Sequence, residues 1–245
     1  MKHDPGALPL CFASPVLASN CADLTHNDIS YSTCQVHVDR DQIALFLYDE
    51  NGQPYGQFVN LVEELSNKGT EVLFAMNAGM FHSDLRPVGH YVENNLEEMR
   101  VVSNAGPGNF GMLPNGIFCI TDTNYHIFET RDYLANKPNC TFATQSGPLL
   151  LHENIFHPRI LKGSTSKYIR NGVGVSADGQ TAHFVISNQR VNFYEFTSFF
   201  QDVLEVQNAL YFDGNVSKLY APELGRSGVG WSVGPMVAAI TATDQ

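Results

Sequence analysis

Positive charge is scarce in this chain of 245 residues: 14 Lys and Arg stand against 25 Asp and Glu, a formal net charge of −11 at pH 7. A surface of that sign repels phosphate backbones and argues against nucleic-acid binding. An anionic ligand would need a local basic pocket working against the overall field, so each Arg in an apolar setting is informative. Metal-ligand spacing is also missing. No Cys-x-x-Cys occurs and the nine histidines are scattered, so nothing reads as a zinc site. No loop carries recognisable calcium spacing either. No cofactor is therefore expected, with a structural calcium ion on loop oxygens left open. The apolar run near the N-terminus, Ala7 to Ala18, is far too short to span a bilayer. Neither a low-complexity linker nor a repeat of fixed period interrupts the chain. What remains is a globular composition, 43% hydrophobic and 11% aromatic, with ample length for a core.

Residues 1–18 read either as a signal segment, with Val16 and Ala18 placed for a cut after Ala18, or as a disordered tail. The domain proper is taken as residues 19–245. Such a cut removes Cys11 and leaves four cysteines, an even number suited to an oxidising compartment. Proximity suggests Cys21 with Cys34 and Cys119 with Cys140, although four cysteines allow three pairings. A periplasmic or secreted location is the expectation.

Patterning gives one strand-rich α+β domain with a twisted mixed or antiparallel sheet and two principal helices. Residues 31–38 and 42–49 read as a hairpin about Asp39-Arg40-Asp41. Further hairpins are expected over 86–102, 115–130 and 171–188, the last turning at Ala177-Asp178-Gly179. Phe58, Leu61, Val62 and Leu65 have helical spacing ending at Gly69. The clearest helix gathers Phe193, Phe196, Phe199, Phe200 and Leu204 on one face.

Four apolar runs stop at small polar corners containing glycine: Asn77 with Gly79, Asn115 with Gly116, Gln145-Ser146-Gly147, and Asp213-Gly214 with Ser217. In a fifth, Arg170 precedes a glycine-bearing strand start. Glycine lets backbone approach a ligand, and Asn, Ser, Gln and Asp aim hydrogen-bonding groups into a cleft. Any one corner alone is more often an ordinary turn; the set carries the weight.

In order, Asn-Ala-Gly-Met-Phe, Asn-Gly-Ile-Phe, Gln-Ser-Gly-Pro, Arg-Asn-Gly-Val-Gly and Ala-Leu-Tyr-Phe-Asp-Gly-x-x-Ser resemble the phosphodiester glycosidase family, in its bacterial periplasmic branch. The likeness runs from about Tyr31 to Ala239. It implies hydrolysis of the bond between a sugar anomeric carbon and a phosphodiester oxygen, with a glycan or sugar-phosphate as the small-molecule partner. The leaving phosphate is stable as an anion and needs charge stabilisation more than protonation, a task for the Arg170 guanidinium. Asp213, the acidic residue inside the motifs, is the expected catalytic carboxylate. Asn77, Asn115, Gln145, Ser146 and Ser217 would hold sugar or phosphate oxygens, with Gly79, Gly116, Gly147 and Gly214 letting backbone pack close. Where the family runs on with glycines after Asp-Gly, this chain has Asn215 and Val216. That departure keeps open a catalytically silent protein that binds phosphorylated glycan, in which Asp213 caps loop amides. His157, Arg159, Lys162, Lys167 and Arg170 form the basic cluster, either a phosphate-attracting rim or a solvated loop.

Overall fold

Side chains of a strand alternate between its two faces, so a strand apolar at every position must be buried on both. In Asn208–Asp213, Leu210 and Phe212 enter one cluster and Ala209 and Tyr211 another. Phe74 and Met76 split in the same way from Ala75. So do Phe118 and Ile120 from Ile117 and Cys119. Three sheets meet by their inner faces in one core, and each has a second, outer cluster of its own. The computed structural model describes residues 21–241. The segment 1–18, with Cys11, lies outside the described residues.

Among the described residues all strand pairings are antiparallel. The first sheet runs in the order Cys21–His26, Ile29–His37, Thr181–Ser187, Asn171–Val175, Asn208–Asp213, Leu149–His152, Ile155–Phe156. The second runs Arg226–Ser227, Leu219–Ala221, Val72–Asn77, Met236–Ile240, Gln42–Phe46. The third runs Leu96–Met99, Tyr91–Glu93, Phe142–Ser146, Gly116–Ile120, Tyr125–Glu129. Phe118 of the third sheet meets Phe184 and Phe212 of the first edge-on at 5.7 and 6.5 Å, and Phe74 of the second lies 5.6 Å from Phe184. Such aromatic pairs add about 0.5–1.5 kcal/mol each beyond the area they bury.

One helix covers each outer face. Helix α1 (Phe58–Asn67) sets Phe58, Leu61 and Leu65 on the second sheet. Helix α2 (Thr130–Asn136) sets Tyr133 on the third. Helix α3 (Phe193–Asp202) lays Phe196, Phe199 and Phe200 on the first. A capping box starts α3: Asn192 Oδ1 accepts from the Glu195 amide at 2.9 Å, and Glu195 Oε2 accepts from the Asn192 amide at 2.8 Å.

The class is α+β, and the two helices read from sequence stand where expected. The hairpins at 86–102, 115–130 and 171–188 form. The expected pairing of 31–38 with 42–49 does not. Ile29–His37 pairs instead with Cys21–His26 and Thr181–Ser187 in the first sheet, while Gln42–Phe46 pairs with Met236–Ile240 in the second. Alternation tells which face is buried and not which strand lies beside it; the Asp39-Arg40 turn carries the chain between sheets. Cys21 and Cys34, opposite each other in register, are disulfide-bonded, and Cys119 is bonded to Cys140.

Candidate active site

Asp213 ends its strand directly opposite Asn171, which begins the neighbouring one. The register slips between Asn171 and Gly172, a β-bulge of the kind that re-aims side chains. Asn171 is fully buried and acts as a hub. Its Nδ2 donates to the carbonyl and Oδ1 of Asn77 at 2.8 and 3.1 Å. Its Oδ1 accepts from the Asp213 amide at 3.2 Å and lies 3.1 Å from Ser217 Oγ. Asn77 Oδ1 also accepts from the Lys218 amide at 2.9 Å. Among the described residues, Asn77 Nδ2 is a buried donor with no acceptor. Asp213 itself is 8% exposed, and its Oδ1 accepts from the amides of Gly214 and Asn215 at 2.6 and 2.9 Å. Burial pushes its carboxyl above the usual aspartate range, and these loop amides pull it partly back.

Arg170 is placed beneath this floor rather than in it, at 1% exposed. Nε donates to the Val191 carbonyl at 2.9 Å, Nη2 to the Ser166 carbonyl at 3.0 Å, and Nη1 to the Tyr211 hydroxyl at 3.2 Å. The guanidinium stacks 3.7 Å from the centre of the Phe193 ring. Among the described residues no carboxylate ion-pairs with it. Burial lowers its pKa, yet Arg stays a cation. With three of its five N–H donors engaged and the side chain buried, the guanidinium does not offer the open fork that a bidentate phosphate grip needs. The Tyr211 hydroxyl in turn occupies the place where a side chain at Gly214 would go. That close approach is what position 214 requires of glycine.

Above the floor lies a cavity of about 320 Å³ lined by Asp213, Tyr211, Gly214, Asn109, Ser166 and Met80. A second, of about 430 Å³, shares with it the wall made by Tyr168, Gly214 and Asn215. Arg190, Lys218 and Trp231 line the second lobe, and among the described residues no Asp or Glu does. Lys218 Nζ donates to the Trp231 carbonyl, and burial lowers the Lys218 pKa. In a chain of net charge −11, a carboxylate-free lobe with two cations stands out as anion-accepting ground.

The remaining corners are spent internally. Asn115 donates to the Phe110 carbonyl at 3.0 Å and accepts from Thr130 Oγ1 at 2.7 Å. Gln145 Oε1 accepts from the amides of His90 and Val102, while Nε2 donates to Val102 and Thr130. Ser146 donates to the Phe212 carbonyl at 2.8 Å. A side chain at Gly116 would meet Leu149 and Leu210, at Gly147 Asn115, and at Gly79 Thr144, so these glycines serve packing. The geometry thus gathers Asn77, Asp213, Gly214 and Ser217, with Arg170 below, and leaves the 115 and 145–147 corners out. The motifs did not single out Asn171, Tyr211, Tyr168, Asn109, Arg190 or Trp231. Among the described residues no group of three or more His, Cys, Asp or Glu side chains is gathered for a metal.

A family model described as phosphodiester glycosidase matches residues 70–234. An uncharacterized protein of Escherichia coli (strain K12), YigE, is 30% identical over 235 residues, 96% of this chain and 90% of that one. Among solved structures, the zebrafish N-acetylglucosamine-1-phosphodiester alpha-N-acetylglucosaminidase catalytic domain, auto-inhibited by pro-peptide, aligns with a TM-score of 0.56 at 18% identity. That alignment covers 92% of this chain and 83% of the other, and it shows a shared fold.

Proposed function

Since the chain belongs to the phosphodiester glycosidase family, we propose that it hydrolyses the bond between a sugar's anomeric carbon and a phosphodiester oxygen, in envelope or exopolysaccharide metabolism. The observation that carries this reading is a count of carboxylates. Ordinary glycosidases flank the scissile bond with two, one of them to protonate a poor leaving group. Among the described residues, Asp213 is the single carboxylate lining either lobe. One is enough if the leaving group departs as a stable phosphate anion.

In this scheme the C1–O bond breaks with its electron pair passing to the phosphate oxygen. Water supplies the oxygen that bonds to C1, and Asp213 takes the proton it releases. Ionised above its raised pKa, Asp213 also faces the positive charge that develops at C1. The phosphate sits toward Arg190 and Lys218. The scheme needs no cofactor. Two disulfides support a periplasmic or secreted setting.

The test sets α- and β-linked sugar-1-phosphodiesters beside the matching methyl glycosides. Phosphodiesters should release sugar and methyl glycosides should not, and Asp213→Asn should lower kcat on the order of 10³-fold. Equal turnover of methyl glycosides, or an active Asp213→Asn protein, sinks the scheme. A second reading has its own observation: Asp213 Oδ1 is tied to the Gly214 and Asn215 amides, as a loop cap would be. A silent glycan-phosphate-binding protein would bind the same phosphodiesters saturably and release nothing on long incubation.

A further inference from the structure

We infer that Tyr211 is a substrate-facing hydrogen-bond donor of this cleft and that Arg170 is the positioning residue that aims its proton. The inference rests on the phosphodiester reading, because its target is the departing phosphate oxygen.

A guanidinium can only donate. With Arg170 Nη1 3.2 Å away, the Tyr211 oxygen must accept from it, so the single phenolic hydrogen points elsewhere. Asn109 shares the cavity wall with Tyr211. No acceptor within the protein takes the phenolic hydrogen among the described residues. The hydroxyl packs over Gly214, in the wall it shares with Asp213. The direction left for the hydrogen is the cavity.

The unusual state of Arg170 fits this use. A buried guanidinium without a carboxylate is costly to keep and is seldom retained for stability alone. Here its charge stands directly behind a phenol, and a hydroxyl backed by a cation is a stronger donor to an oxyanion. The chemistry asks for that donor. Cleavage turns a diester monoanion into a monoester dianion whose second pKa lies near about 6, so the departing oxygen gains charge that needs stabilising rather than a full proton. Burial raises the Tyr211 pKa above the usual tyrosine range, so the phenol keeps its hydrogen across the working pH range. Tyr211 transfers no proton, and the bonds made and broken are those of the scheme above.

Tyr211→Phe keeps the ring and removes the donor. On a phosphodiester that the wild type turns over, kcat should fall about 10²- to 10³-fold with KM little changed. The fall should be larger for substrates whose departing phosphate is more basic. Arg170→Met should reproduce the effect, and the double variant should fall no further than either single one, as coupled groups do. Titration with methyl phosphate gives a reading independent of turnover: wild type should bind it, and Tyr211→Phe about tenfold more weakly. If the wild type cleaves phosphodiesters and Tyr211→Phe keeps its kcat, the inference is wrong while the function stands. If the wild type cleaves none, the functional reading falls and the titration decides. Equal affinity in the two proteins, or no binding to wild type, overturns the inference. Should Arg170→Met fail to fold, Tyr211→Phe alone remains decisive.

Discussion

Asp213 is pulled two ways, by a burial that favours its neutral form and by amides that favour its charge. A carboxyl whose pKa is higher in the folded than in the unfolded chain favours folding only where it is protonated. That contribution is complete below the unfolded value, near about 3.9, and is gone once the pH rises through the folded one. Once the pH exceeds that raised folded value, the ionised Asp213 is a cost to stability. Asp213→Asn keeps an oxygen for the Gly214 and Asn215 amides, so it should melt no lower than wild type at pH 7 while losing turnover. Its advantage should shrink on acidification. A clearly lower melting temperature at pH 7 would show that the loop needs the charge and not only the oxygen. Asp213, Gly214, Ser217 and Asn77 were legible in the sequence because a strand that stops at a small polar corner is a local pattern. Asn171 was not, because its role comes from cross-strand register with Asp213. Tyr211 sits in an apolar run and reads as core. Gln145 and Asn115 gave the same signal as Asp213 and Asn77, and their side chains are satisfied from within.

Helix α3 was the most legible element, since Phe193, Phe196, Phe199 and Phe200 mark one face. Asn192 also donates from Nδ2 to the Ser164 carbonyl at 3.0 Å, tying the helix start to the loop below the cleft. Asn192→Ala should lower stability by about 1 kcal/mol in urea unfolding, the usual loss for a missing cap. An unchanged midpoint would mean that packing alone sets the helix start. Helix α2 escaped notice because its seven residues give fewer than two turns in which periodicity could show. Its cap comes from Glu129, whose side chain accepts from the Arg131 and Asp132 amides, and Glu is not a residue that announces a cap. The sheets were legible as buried strands and local hairpins. Their partners across long sequence gaps were not, because a period of two carries no address.

At the scale of the molecule, burial holds His90, His157 and His183 below the usual histidine value of 6.5, His183 at about 4. The unfolded chain takes up those protons first. Stability that is complete above pH 6.5 should then be lost as the pH falls through the folded values toward 4. Far-UV circular dichroism melts across that window are the check; a flat melting temperature would mean that these imidazoles are solvated. Tryptophan fluorescence would be a poor reporter, since Trp231 is 82% exposed in the folded protein. The hub has a consequence of another kind. Asn77 of the second sheet is joined to Asn171 of the first, 94 residues on, and to the Lys218 amide, 141 residues on. No single sheet contains the cleft. A molecule with every strand formed but its sheets seated one residue out of place would pass as native by spectroscopy and yet be inert. Under the proposed activity, turnover per milligram would gauge how many molecules in a preparation have their sheets correctly mated, something that a protein concentration never reveals.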